Sequence, residues 1–357
     1  MKFTYLIGNG FDLNIGLKTS FTDFFNIYCN KSDYENAAIE KFKAEIRNNS
    51  FMWSDFEFQM GRYAHEVEPL GTLSIQDYFN CMENFRNEMI TYLLKEEERI
   101  NKFAFKNKCD TVCHRAIEYP FQYMRPGQRI LLQDYLSKYN TESIEYNFII
   151  FNYTHTFDEF LTPLGYNVAG DDNDIGHWTD DEEDSMIIDK IGEVIHVHGE
   201  FGNAILLGVN DEQQVNNPNL IKNDEFRWNY IKPIANEMLG EQHDEISKRV
   251  IEESDIIFIY GMSIGQTDKI WWQAIIKWLC DKTDSREHFL VVFSHNTKLR
   301  RNNPLDNIKN QKEIENKLLS FAPDSIKIDK NNITKHILCS LNSDIFKLDF
   351  DPFSSEY

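Results

Sequence analysis

The segment Phe3-Thr4-Tyr5-Leu6-Ile7 runs straight into Gly8-Asn9-Gly10-Phe11-Asp12. No other stretch constrains the fold as strongly. A short apolar strand that breaks on two glycines one residue apart reads as the strand-to-helix turn of a nucleotide-binding, Rossmann-like fold. Glycines at such a turn let the backbone approach a phosphate, and the following helix N-terminus presents unpaired N–H groups to it. A plain βα connection has the same appearance, so the motif alone leaves both readings open. The full dehydrogenase fingerprint would need glycine at position 13, which is Leu13. The pattern therefore fits nucleotide binding better than hydride transfer, with Gly8, Asn9, Gly10 and Asp12 as the candidate binding residues.

Further apolar runs support an α/β chain. Asn147–Phe151, Glu193–Gly199, Ala204–Gly208, Asp255–Gly261 and Phe289–Ser294 each read as buried strands, and Ser325–Ile328 as a weaker one. Helical spacing covers Ser32 to about Asn48, where Ser32 and Glu35 form a capping-box start. It recurs from Ser74 to about Ile100 and from Gly127 to Tyr139. Strands separated by helices imply right-handed crossovers and a mostly parallel sheet. The expected organisation is a Rossmann-like domain over residues 1–29 and 141–345, a helical insertion over 30–140, and a C-terminal tail over 346–357.

Composition narrows the class. A hydrophobic fraction of 41% with 14% aromatics supports a packed core. No apolar run approaches the roughly 20 residues that span a bilayer, and the opening residues read as a strand and not a signal peptide. Six cysteines without framework spacing suggest reduced, mostly buried thiols in a cytoplasmic protein. The net charge of −21 argues against a general nucleic-acid binder. Lys298, Arg300 and Arg301 form the one dense basic cluster and read as a solvated helix end. Asp171–Asp184, with Asp180-Asp181-Glu182-Glu183-Asp184, reads as a solvated acidic loop without EF-hand spacing.

Three more segments carry residues suited to chemistry. Asn152, in Phe151-Asn152-Tyr153-Thr154, follows a strand at the edge where open α/β sheets bind ligands, and is suited either to a sugar hydroxyl or water or to a helix cap. In His196-Val197-His198-Gly199, period-two alternation puts both imidazoles on one face if strand pairing continues. No third metal ligand is evident, so no metal is expected, and a histidine at a strand end suits general-base work. Tyr260-Gly261-Met262-Ser263-Ile264-Gly265-Gln266-Thr267-Asp268 is a second glycine-bearing turn, able to close a nucleotide site from the other side. Asp268 either touches ligand or caps the next helix, where Trp271, Trp272 and Trp278 pack onto the sheet. Glu57, in Trp53-Ser54-Asp55-Phe56-Glu57, is a cap partner or a site carboxylate.

Taken in order, these blocks resemble the AbiH family of bacterial phage abortive-infection proteins, from residue 3 to about 295. The same plan is similar to sirtuin-like NAD hydrolases of antiphage defence. That resemblance implies Gly8 and Gly10 at a pyrophosphate, Asn152 and His198 at the ribose, and Gly261 with Ser263 closing the site. The zinc ribbon of sirtuins is missing, which argues against protein deacetylation, and Asn9 stands where sirtuins usually carry alanine. The implied activity is hydrolysis of NAD at the nicotinamide–ribose bond, NAD being substrate and no cofactor being needed. Asn152 would hold water or ribose and His198 would accept a proton. The alternative is a non-catalytic module that senses a nucleotide such as ADP-ribose or a phage protein, with residues 30–140 as the partner surface. A nuclease is the weaker third reading, because charge opposes it and no metal-binding carboxylate cluster is evident. A homo-oligomer is compatible with each.

Overall fold

The computed structural model describes all residues except 33–35, 141, 167–173, 179–185, 202–203, 282, 284–285, 349–352 and 354–357. Strand β1 (Lys2–Ile7) is buried along nearly its whole length, as an apolar run on both faces requires. It pairs in parallel with β2 (Glu145–Ile150) on one side and β5 (Ile256–Tyr260) on the other. Outward from β2 come β4 (Met186–His196) and β3 (Asp174–Trp178), the latter antiparallel. Outward from β5 come β6 (Phe289–Ser294) and β7 (Ile337–Leu341), both parallel. The sheet order is β3-β4-β2-β1-β5-β6-β7. Without the antiparallel edge strand, the six parallel strands follow the doubly wound Rossmann order, which reverses between β1 and β5.

Alternation along the strands sends side chains to two separate cores. On one face Phe3, Tyr5, Phe148 and Phe258 meet α6 (Lys102–Ile117), α7 (Pro126–Leu136) and the Phe157–Phe160 segment of α8 (Thr156–Leu161). On the other face Leu6, Ile149 and Ile257 meet α12 (His243–Glu252), α13 (Lys269–Cys280) and α14 (Pro304–Leu319). Trp271, Trp272 and Trp278 lie in this second face, fully buried against the sheet.

A third core stands apart from the sheet. It gathers α2 (Phe21–Tyr28), α3 (Ala37–Asn48), α4 (Phe56–Tyr63) and α5 (Ile75–Glu97) with Leu207, Val209 and the short helices α9 (Pro218–Ile221) and α10 (Asp224–Tyr230). The packing thus divides the chain differently from the sequence boundaries at 30 and 140. Helix α2 belongs with the helical layer, whereas α6 and α7 cover the sheet. Phe346, at the start of the expected tail, is core.

Several local expectations change. Helix α3 begins at Ala37, where the Asn36 side chain accepts from the Ala38 and Ile39 N–H groups, while Ser32 lies outside the helix and Glu35 outside the described residues. Residues 204–208 are not a strand; Val209 just beyond them bridges to Ile231, and Leu207 packs into the helical core. Residues 325–328 stay out of the sheet, and the mostly apolar segment Ile337–Leu341 takes the edge. Part of the acidic segment forms β3, and Asp180–Asp184 lies outside the described residues. Lys298, Arg300 and Arg301 lie in the loop before α14, where Arg301 donates to Tyr123 O and pairs with Asp344. No two cysteines form a disulfide, and no helix among the described residues is long and apolar enough to cross a membrane.

Candidate active site

The two glycine turns meet at the point where the strand order reverses. Gly8 N–H donates to Tyr260 O, and Gly10 N–H donates to Gly261 O, both at 2.9 Å. A Cβ on Gly10 would stand 2.4 Å from the Gly261 Cα, and Gly261 has a φ of +71°. The contact of two backbones is therefore enough to require glycine at position 10. Gly10 does not line the adjoining cavity, whereas Gly8, Asn9 and Gly261 do. The helix α1 (Gly10–Asn14) that follows is a single short turn.

Polar side chains brace this junction. Asn9 Nδ2 donates to Thr19 O, and Thr19 Oγ donates to Asn9 Oδ1. Asp12 is buried and accepts from both Thr154 and Thr156, which ties α1 to the loop after β2. Burial pushes the Asp12 carboxyl up to about 6, against the pull of those two hydroxyls.

A cavity of about 470 Å³ opens at the carboxyl ends of β1, β2 and β5, and the helical layer covers it. The volume suits a small-molecule ligand. Gly8, Asn152 and His198 come together around it, with Asp12, Ser263 and Asp268. Asn152 is only 3% exposed, and among the described residues neither its Oδ1 nor its Nδ2 makes a well-formed hydrogen bond, although its amide stands close enough to the Asp12 carboxyl to lower that group's pKa. A buried amide without well-formed hydrogen bonds costs stability that a ligand could repay. It is not acting as a helix cap.

The two histidines part company. Strand β4 ends at His196, so pairing does not carry the alternation on to His198. His196 lines a different cavity and binds the Asp158 carboxylate at 3.0 Å. Burial alone would lower its pKa, but Asp158 and Glu200 raise it. His198 instead meets Lys232, whose Nζ donates to its Nε2 at 3.3 Å. An ammonium has only donors, so the His198 proton sits on Nδ1, which is buried and makes no well-formed hydrogen bond among the described residues. Burial, then the Lys232 charge, holds His198 well below its ordinary pKa and so neutral.

Lys232, at the start of α11 (Lys232–Leu239), is the residue that sequence reasoning missed. It is 2% exposed, and its Nζ lies 2.6 Å from Glu57. Pro233 marks a helix start, but nothing in the sequence marks this lysine as buried. Glu57 lines the cavity and also accepts from Tyr153 O–H. Burial raises its pKa despite Lys232. The cap of α4 is Asp55, which accepts from Phe58 N–H and from Thr267 Oγ. Asp268 precedes α13 without capping it through its side chain. It is partly exposed at the cavity wall, yet burial, reinforced by Glu57 and Asp55, pushes its carboxyl up to about 7 against Lys232. Ser263 is exposed on the turn above. Among the described residues, no cluster of three or more histidines, cysteines or carboxylates is placed to hold a metal ion.

The model of the bacteriophage abortive infection family AbiH matches residues 4–289, which takes in both glycine turns and every cavity residue named above. The chain belongs to the AbiH family. Membership assigns it a role in abortive infection by phage. No curated protein and no solved structure matches the chain.

Proposed function

We propose that this AbiH protein hydrolyses NAD at the nicotinamide–ribose bond. The observation that carries the reading is Asn152, a buried amide with no well-formed hydrogen bond at either end among the described residues, facing a cavity at the switch point of a Rossmann sheet. The chemistry suits the groups around it. As the ribose–nitrogen bond breaks, its electron pair leaves with the ring, which departs as neutral nicotinamide. The ribose becomes cationic in the transition state, and the carboxylates of Asp12, Asp55, Glu57 and Asp268 stabilise that charge.

Asn152 supplies a donor and an acceptor for a ribose hydroxyl and the attacking water. His198 was expected to take the water's proton, but its Nε2 is occupied by Lys232, so it serves the ribose as an Nδ1–H donor. The carboxylate suited to receive the proton is Asp268, whose carboxyl titrates near neutral pH. Depletion of NAD on infection, set off by a phage component, would stop the cell before phage release.

The test is to incubate purified protein with NAD and follow nicotinamide release. Asn152→Ala should lower turnover by roughly 10²–10³-fold, the worth of a fixed polar group at the reacting centre, while melting close to the parent, since its amide makes no well-formed hydrogen bond among the described residues. A parent that protects against phage yet leaves NAD intact, alone or with infected-cell extract, would favour a sensing module instead.

A further inference from the structure

Four carboxyl groups line the cavity, and among the described lining residues no lysine or arginine stands with them. Lys232 sits behind Glu57 and offsets that one charge. Asp12 and Asp55 are held by hydroxyl groups, which do not neutralise them. Among the described residues no group donates a hydrogen bond to the Asp268 carboxyl. Such a cluster attracts a cation, so within NAD it suits the pyridinium end, and the effect is strong where protein replaces water. Taking the hydrolytic reading as its basis, we propose that the cavity selects its ligand by positive charge, binding the oxidised, pyridinium form of a nicotinamide nucleoside over the neutral dihydropyridine of the same outline.

The two forms differ by one ring charge and a hydride, so most shape-dependent contacts cancel in the comparison. The charge-dependent part follows the carboxyl groups. Asp268 is faced by Lys232 from α11, by Glu57 from α4 and by Asp55 just before it. Asp12 is faced by Glu97 from α5 and by the Thr154 and Thr156 hydroxyls. His198 stays neutral above its depressed pKa and adds no opposing charge. Asp12 and Asp268 lose protons near pH 6 and 7. The cavity therefore becomes more negative as pH rises, and affinity for the cation rises with it while affinity for the neutral form stays flat.

Calorimetric titration with nicotinamide riboside and with its dihydro form reads this directly, at about pH 6 and about pH 8. The oxidised riboside should bind about tenfold tighter or better, with a wider gap at the higher pH. Asp268→Asn should shrink the preference several-fold, and Asp55→Asn, checked for unchanged melting, provides a second variant. Equal affinity for the two forms, a preference for the dihydro form, or binding of neither overturns the proposal. Nicotinamide release from NAD is measured with the same protein preparations. Binding that discriminates without release would sink the hydrolytic reading and leave charge selection standing.

Discussion

Replacing Lys232 with methionine tests the electrostatic frame of the site. The lysine is 2% exposed, 2.6 Å from Glu57 and 3.3 Å from His198 Nε2. Methionine keeps the volume and removes the charge. Glu57 is then left buried with Tyr153 O–H, at 3.2 Å, as its remaining side-chain partner. Removing one member of a buried pair costs about 3–5 kcal/mol. The chain has one escape, which is to protonate Glu57 at about 1.4 kcal/mol per pH unit above its pKa. Burial already raises that pKa above the unfolded value, and without Lys232 it must rise further. The native state then holds a proton that the unfolded state has lost, so stability falls as pH climbs from the unfolded pKa to the folded one. Urea unfolding followed by tryptophan fluorescence should show a small loss near pH 5 and the full loss near pH 8. Adding Glu57→Gln to Lys232→Met should recover at least half of it. A loss below about 1 kcal/mol at both pH values, or one that Glu57→Gln leaves unchanged, refutes the argument.

Gly10→Ala should destabilise the protein by about 1–3 kcal/mol or more, because the added methyl would meet Gly261 at 2.4 Å and push the turns apart; an unchanged melting temperature would show that the turns have slack. Asp158→Asn removes the carboxylate that raises the His196 pKa. A raised histidine pKa contributes stability below the unfolded value of about 6.5 and loses it as pH rises through the folded one. The variant's deficit in chemical denaturation should therefore be larger near pH 5.5 than near pH 9, and a deficit constant across that range would remove the ion pair from the account.

Local pattern was enough to determine the strand-to-helix turns at Gly8 and Gly261, the parallel sheet, and the tryptophans of α13. Each depends on neighbours in sequence, since period-two and helical spacing report which faces are buried. Asn152 and His198 were legible for the same reason, because each follows an apolar run and so falls at a sheet edge. The edge strand Ile337–Leu341 shows the limit of pattern: its five residues read no more clearly than 204–208, and only pairing with β6 separates them. Tertiary structure alone decided what each polar residue faces. It set Gly10 against the Gly261 backbone, sent His196 to Asp158 and His198 to Lys232, and brought Asp55 and Glu57 from the helical layer onto the cavity. Burial and charge at a site are sums over residues far apart in the chain. Between Glu57 and Lys232 the chain runs through α5 to α10 and strands β2, β3 and β4, and folding places the two side chains 2.6 Å apart.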